Sequence, residues 1–353
     1  MILSLSLSPA IGLTRPDPIK LLPEKISINP TEFYIKSVTD DRIEKSAVAN
    51  LFLSESEGKP VLFAVDLDGG GYEAIRNFMF QSIERNPLLR PINIRIKEFI
   101  VTETLSGENR IQGVATLVFT FDLEKEYGDV PLTEYRTAAK YTRSSNTISI
   151  VENTFRKLLG NSLKFINIWM NKEAPRNIKL ATGLKISFKN YLEQHNDTVY
   201  YEASRPLIWD DFRDKVRDSR YNAAIFPSFG YDQRNQLENG IISVELTLKV
   251  FVVKSASWAA AVKVNSYSLN HEQRHFDLVK LIAGRFKAKL LAESLTPDNY
   301  QGIINFEYVQ FYREMNKFQE KYDLQTQHGT NSVMQEYWNR KIDKDLLLMR
   351  IEI

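Results

Sequence analysis

The segment that most restricts how this chain can fold is His271–His275 (HEQRH), because it sets two imidazoles on the apolar stripe of a helix. His271, His275, Leu278, Ile282 and Phe286 recur at i, i+4, i+7, i+11 and i+15, the spacing of one helical face. Both rings must therefore point inward, where an imidazole needs either satisfied hydrogen bonds or an ion. Four residues apart, they are able to share one tetrahedral cation. Glu272 then lies beside the ion rather than on it, placed to take a proton from activated water. The chain has only four histidines, and His271, His275 and His328 all fall in its last quarter.

A length of 353 residues suffices for two domains, each with its own core. The hydrophobic and charged fractions, 43% and 25%, are those of a soluble globular protein. Charge nearly balances at +2, which leaves no basic footprint for nucleic acid. The absence of cysteine removes disulfides, thiolate zinc ligands and a cysteine nucleophile, without fixing the compartment. No apolar run approaches the length of a membrane span. The opening apolar segment, residues 1–13, reads either as the remnant of an export signal or as an irregular or strand-like N-terminus.

Residues 1–30 hold five of the thirteen prolines and read as an irregular lead-in. An N-terminal α/β module over residues 31–172 follows, with strands expected at Glu32–Val38, Val61–Asp66, Ile92–Thr104 and Gly113–Phe121. Helices are expected at Tyr72–Arg85 and Ser145–Met170, and Asn171–Arg176 forms a hinge. From residue 178 to 353 an α+β domain is expected, its antiparallel sheet carrying a hairpin about Asn239-Gly240. The second hairpin arm, Val244–Val253, alternates and would offer a free edge to an extended peptide. Helices Leu269–Ala292, Tyr300–Glu320 and Asn331–Leu348 complete the chain, with Tyr322–Thr330 as a polar loop.

A catalytic zinc site takes three protein ligands and leaves a position open. His328 is the third candidate beside His271 and His275, with Asp323 and Glu314 as rivals that spacing alone does not rank. Asp277 or Asp323 would accept the free ring N–H of a ligating histidine. Tyr322 is a candidate donor to a tetrahedral oxyanion, with a packed tyrosine as the competing reading.

Four stretches together resemble a known family: Arg205–Phe212 (RPLIWDDF), Ser257-Trp258, Asn270–Asp277 (NHEQRHFD) and Tyr322–Gly329 (YDLQTQHG), followed by Gln335 and Trp338. Across about residues 178–345 the chain is similar to the bacterial predicted secreted zinc-dependent proteases, long catalogued as a domain of unknown function. The resemblance implies a zincin-like metallopeptidase domain, a secreted or cell-envelope location, and zinc (Zn2+) held by His271 and His275. It also implies Glu272 as general base and raises His328 above Asp323 as third ligand. Arg274 stands where the family pattern leads one to expect a small residue. The N-terminal half more loosely resembles small outer-membrane lipoprotein domains through Phe33–Arg42 and the helix after Gly71, which implies an envelope-facing binding or docking module, with an envelope protein as a candidate partner, rather than a second catalyst.

The resulting expectation is a zinc peptidase acting on peptide or protein substrates. A non-catalytic zinc-binding envelope protein that recognises a partner or peptide is the alternative. Other motifs carry less. Asp66–Tyr72 (DLDGGGY) lacks the Lys-Ser/Thr of a nucleotide loop and the later Glu of a calcium loop, and reads as a strand-to-helix turn. His195 sits among polar residues as an exposed loop side chain, and no Gly-x-Ser-x-Gly elbow is present.

Overall fold

The computed structural model describes residues 16–54, 60–107, 110–191, 193, 195–216, 221–260 and 264–352. The opening apolar segment lies outside them. The chain divides into two compact units, the first ending at Ala174 and the second beginning at Pro175, inside the expected hinge. Both mix helices with sheets, so the fold class is α+β.

The first unit is a six-stranded sheet with two helices. Its strands are β1 (Phe33–Asp40), β2 (Ala49–Leu53), β3 (Val61–Val65), β4 (Arg90–Leu105), β5 (Ile111–Lys125) and β6 (Gly128–Arg143). They run in the order β3-β2-β4-β5-β6, with β1 parallel to β4. Ile92, Ile94 and Ile96 of β4 are fully buried, as alternation requires. Helix α1 (Gly71–Ser82) starts after Gly69 and Gly70, whose φ values of 79° and 93° an L side chain resists. DLDGGGY is thus a strand-to-helix turn, closed by the Gly71 amide donating to Asp66 Oδ2 at 3.1 Å. Helix α2 (Ser149–Glu173) lays Phe155 against Phe99 of β4, ring centroids 4.5 Å apart.

The second unit builds a mixed sheet from β7 (Gly183–Asn190), β8 (Thr198–Tyr200), β10 (Ser228–Glu238) and β11 (Ile241–Val253). A short pair, β9 (Ala223–Ala224) and β12 (Trp258–Ala259), forms a separate ladder. Asn239 and Gly240, at φ 51° and 76°, close the β10–β11 hairpin with the two positive-φ residues of a type I′ turn. Two expectations are corrected here. The sheet is mixed rather than antiparallel, because β7 runs parallel to β11 over Ile241–Leu248. For the same reason β11 has no free edge: β10 lies on one side, β7 and then β8 on the other. Period-two alternation records which faces a strand buries and says nothing about what pairs with its edges.

Three long helices follow: α3 (Ser266–Ala292), α4 (Tyr300–Thr326) and α5 (Ser332–Glu352). The buried row Val244, Leu246, Leu248, Val250 and Val252 meets Phe276, Val279, Ile282 and Phe286 of α3 in one core. Helix α4 continues through Tyr322–Thr326, so the expected loop is helical for its first half. The turn falls at Gln327, His328 and Gly329, with φ of 51°, 51° and 81°.

Candidate metal centre

Helix α3 begins in a reciprocal cap. The Ser268 amide donates to Asn265 Oδ1 at 2.8 Å, and the Asn265 amide to Ser268 Oγ at 3.0 Å. This fixes the helix start just ahead of His271. One turn separates His271 from His275, and their ring centroids are 5.0 Å apart. Both are buried, as the apolar stripe requires.

Asp323, from the last turn of α4, meets both rings. Its Oδ1 lies 2.9 Å from His275 Nε2 and 3.3 Å from His271 Nε2. Among the described residues His271, His275 and Asp323 form a group whose donor atoms all lie within 4.8 Å of one another and could hold a metal ion. Bonds of about 2.0–2.2 Å put tetrahedral ligand atoms roughly 3.3–3.6 Å apart, within a few tenths of an ångström of the two Asp323–histidine separations. The donors, two imidazoles and one carboxylate, suit a divalent first-row metal.

His328 stands outside that group. Its Nδ1 is 3.6 Å from the other Asp323 oxygen, its side chain is 47% exposed, and its ring packs 4.6 Å from Tyr221. Glu314 is ion-paired to Arg285 and is also outside the group. Asp323, expected either as a rival third ligand or behind a ligating histidine, is therefore the third donor that the fold brings to the rings. The reason is the extra turn of α4: Asp323 projects from a helix, while His328 follows the break.

The backs of both rings are held by carboxamides. His271 Nδ1 faces Gln335 Oε1 at 2.9 Å. Gln335 Nε2 donates to Tyr322 Oη at 2.7 Å and Asn339 Oδ1 at 3.1 Å, so only its oxygen is left for the ring. His275 Nδ1 makes a short contact with Gln319 Oε1, and Gln319 Nε2 donates to the His275 carbonyl at 3.3 Å. Each Nδ1 is thereby the donor, which turns each Nε2 toward Asp323.

This corrects two further expectations. Asp277 does not support a histidine; it accepts from the Tyr201 hydroxyl, Gln273 and Arg274. Tyr322 is fully buried, stacked 4.9 Å from the His271 ring, and its hydroxyl donates to the His271 carbonyl at 3.2 Å. Having spent its proton on the backbone, it is no oxyanion donor. The Arg274 guanidinium turns to Asp277 and Asp343, at 3.0 and 2.6 Å, and is absent from the cleft wall.

Glu272 is buried, and its Oε2 accepts the Ile225 amide at 3.1 Å. It fronts the same cleft as the three donors, a cavity of about 360 Å³ walled by residues 221–226 and by Trp258, Tyr267, Ser268, His328 and Gly329. Gly329 has to be a glycine: at φ 81°, an added Cβ would sit 3.2 Å from His271 Cγ.

Burial raises the Glu272 carboxyl above its ordinary value, against the pull of the two histidines. Burial also pushes Asp323 up, but hydrogen bonds from His271 and His275 prevail and hold it well below the usual carboxylate range. For His275 burial opposes the charged form, yet the Asp323 contact outweighs it and raises the ring's pKa.

Sequence reasoning missed Gln319 altogether, although it stands one turn before Asp323 on α4. Gln335 entered it only as a motif residue.

No family model matches the chain, and no curated protein matches it significantly. The solved structure of a Xanthomonas campestris protein of family DUF330 is similar at 8% identity and a TM-score of 0.27, covering 44% of this chain and 95% of that one. Likeness at that level bears on neither fold nor function.

Proposed function

We propose that the 175–353 unit is a zinc-dependent peptidase of zincin-like design. The observation that carries this reading is the division of labour around one cleft. Two imidazoles and a carboxylate converge, while a fourth ionisable group, Glu272, fronts the same space without joining them. The donor set is compatible with zinc, which when bound would supply Lewis acidity, polarising a carbonyl and lowering the pKa of water to about 7.

The chain's own residues supply the proton transfers. Glu272 accepts a proton from the attacking water as oxygen bonds to the scissile carbonyl carbon, then delivers it to the amine nitrogen as the C–N bond breaks. Its raised pKa makes it a stronger base than a solvated glutamate. The Ile225 amide occupies one carboxylate oxygen and leaves the other for this work. The backbone from Tyr221 to Phe226, bonded to β12 along one edge, lines the cleft and offers an extended peptide a place to lie. It takes the part that sequence reasoning gave to Val244–Val253.

The motif resemblance over residues 178–345 extends the proposal to a secreted or envelope location, and the looser resemblance of Phe33–Arg42 extends it to the first unit as an envelope-facing binding or docking module. Metal analysis and turnover of a degenerate peptide library, on wild type and Glu272→Gln, test the enzyme claim. One zinc per chain in both proteins is expected, with turnover falling about 10²–10⁴-fold in the variant. A wild type that neither contains nor takes up zinc overturns the reading. So does a zinc-loaded Glu272→Gln that turns over like wild type.

A further inference from the structure

We infer that Gln319 and Gln335 are the residues that set how tightly, and in what orientation, the two imidazoles present themselves to the metal. The inference rests on the metal-binding reading above and concerns side chains that touch no donor-side atom. Histidines on a metal usually give their second N–H to a carboxylate, a backbone carbonyl or water. Here both give it to a side-chain carboxamide.

Neither amide is free to turn over. Gln335 is 1% exposed and has both N–H bonds committed, to Tyr322 and to Asn339. The Tyr322 hydroxyl must accept from Gln335, because its own proton goes to the His271 carbonyl. Gln319 clamps His275 at two points, ring Nδ1 and backbone carbonyl. It also precedes Asp323 by one turn, so α4 delivers a donor and a brace on the same face. Helix α5 braces the other ring through Gln335 and ties back to α3, since Asn339 also accepts from Arg274 at 3.2 Å. The imidazoles thus belong to α3, while their rotation is governed by α4 and α5.

Charge gives a reason for amides. Glu272, Asp323 and Asp277 already place three carboxylates in or against this corner of the fold. A carboxylate behind either ring would add another buried anion at low local dielectric. A neutral acceptor fixes the tautomer without that charge, and leaves the bound cation more electrophilic than a carboxylate behind the imidazole would.

The test compares Gln319→Met and Gln335→Met, which keep length but lose the acceptor, with Gln319→Glu, which keeps an acceptor. Zinc affinity is read by competition with a chromophoric chelator, and ligand geometry by the visible spectrum of the cobalt(II)-loaded protein. Each Met variant is expected to bind zinc about 10–100-fold more weakly and to shift the cobalt bands. Gln319→Glu is expected to bind at least as tightly as wild type. Because both Gln319 variants lose the N–H to the His275 carbonyl, their difference isolates the acceptor from any effect on folding. Met variants within threefold of wild type, or a Gln319→Glu as weak as Gln319→Met, overturn the inference while leaving the peptidase proposal intact. A wild type that binds neither metal overturns both.

Discussion

Tyr322→Phe separates a structural tyrosine from a catalytic one. The hydroxyl sits at 0% exposure between two partners, donating to the His271 carbonyl at 3.2 Å and accepting from Gln335 at 2.7 Å. Removing it keeps the ring, with its packing on His271 and on Trp338, and deletes both hydrogen bonds. A buried neutral hydrogen bond contributes about 1 kcal/mol net, and a buried N–H left without an acceptor costs about 1–3 kcal/mol. The expected loss is therefore about 2–4 kcal/mol. For a unit of this size, at roughly 2–4 °C per kcal/mol, that lowers Tm by about 4–16 °C. Thermal unfolding by circular dichroism reads the shift, and turnover per folded molecule is measured well below the transition. Turnover should stay within about tenfold of wild type. An unchanged Tm with turnover down by about 10²–10³, the usual cost of losing an oxyanion donor, would refute the reasoning.

Two other perturbations bear on the same site. Zinc needs a neutral imidazole, and the His275 pKa is raised above 6.5, so protons compete for that ring over a wider range than for a free histidine. Zinc affinity should be full above the raised value and fall about tenfold per pH unit below it; a flat profile between pH 6 and 8 would contradict this. In metal-free protein the sign reverses. The raised pKa contributes stability that is complete below 6.5 and lost as pH rises through the folded value, as urea titrations across that range would record. Gly329→Ala forces an L residue to φ 81° with its Cβ 3.2 Å from His271 Cγ, and should cost about 1–3 kcal/mol while loosening zinc. A variant as stable as wild type would show that the turn does not require glycine.

Much of the site could be read in the sequence, and the part that could not has a physical cause. The i, i+4 histidines on an apolar stripe led to two buried, adjacent rings, because helical periodicity is a local property. Asn239-Gly240 marked its hairpin for the same reason. The third donor depends instead on where α4 stops. Leu324 and Gln325 are good helix formers, yet the polar run around them reads as a loop, so spacing did not rank Asp323 against His328, and the family resemblance favoured His328. Gln319, Gln335 and the buried hydroxyl of Tyr322 owe their roles to three helices meeting, which no spacing encodes. In the first unit β6 went unread because its burial is only partial along almost its whole length. Arg143 is the fully buried exception, and it is paired to Glu103. Strand pairing was the least legible level of all, as the flanked β11 illustrates.

The most direct test is a crystal structure of zinc-soaked protein with anomalous data at the zinc edge. A single strong peak bonded to His271 Nε2, His275 Nε2 and an Asp323 oxygen, with one position open toward residues 221–226, is the predicted result. A peak elsewhere, or one bonded to His328 with Asp323 turned away, would contradict it.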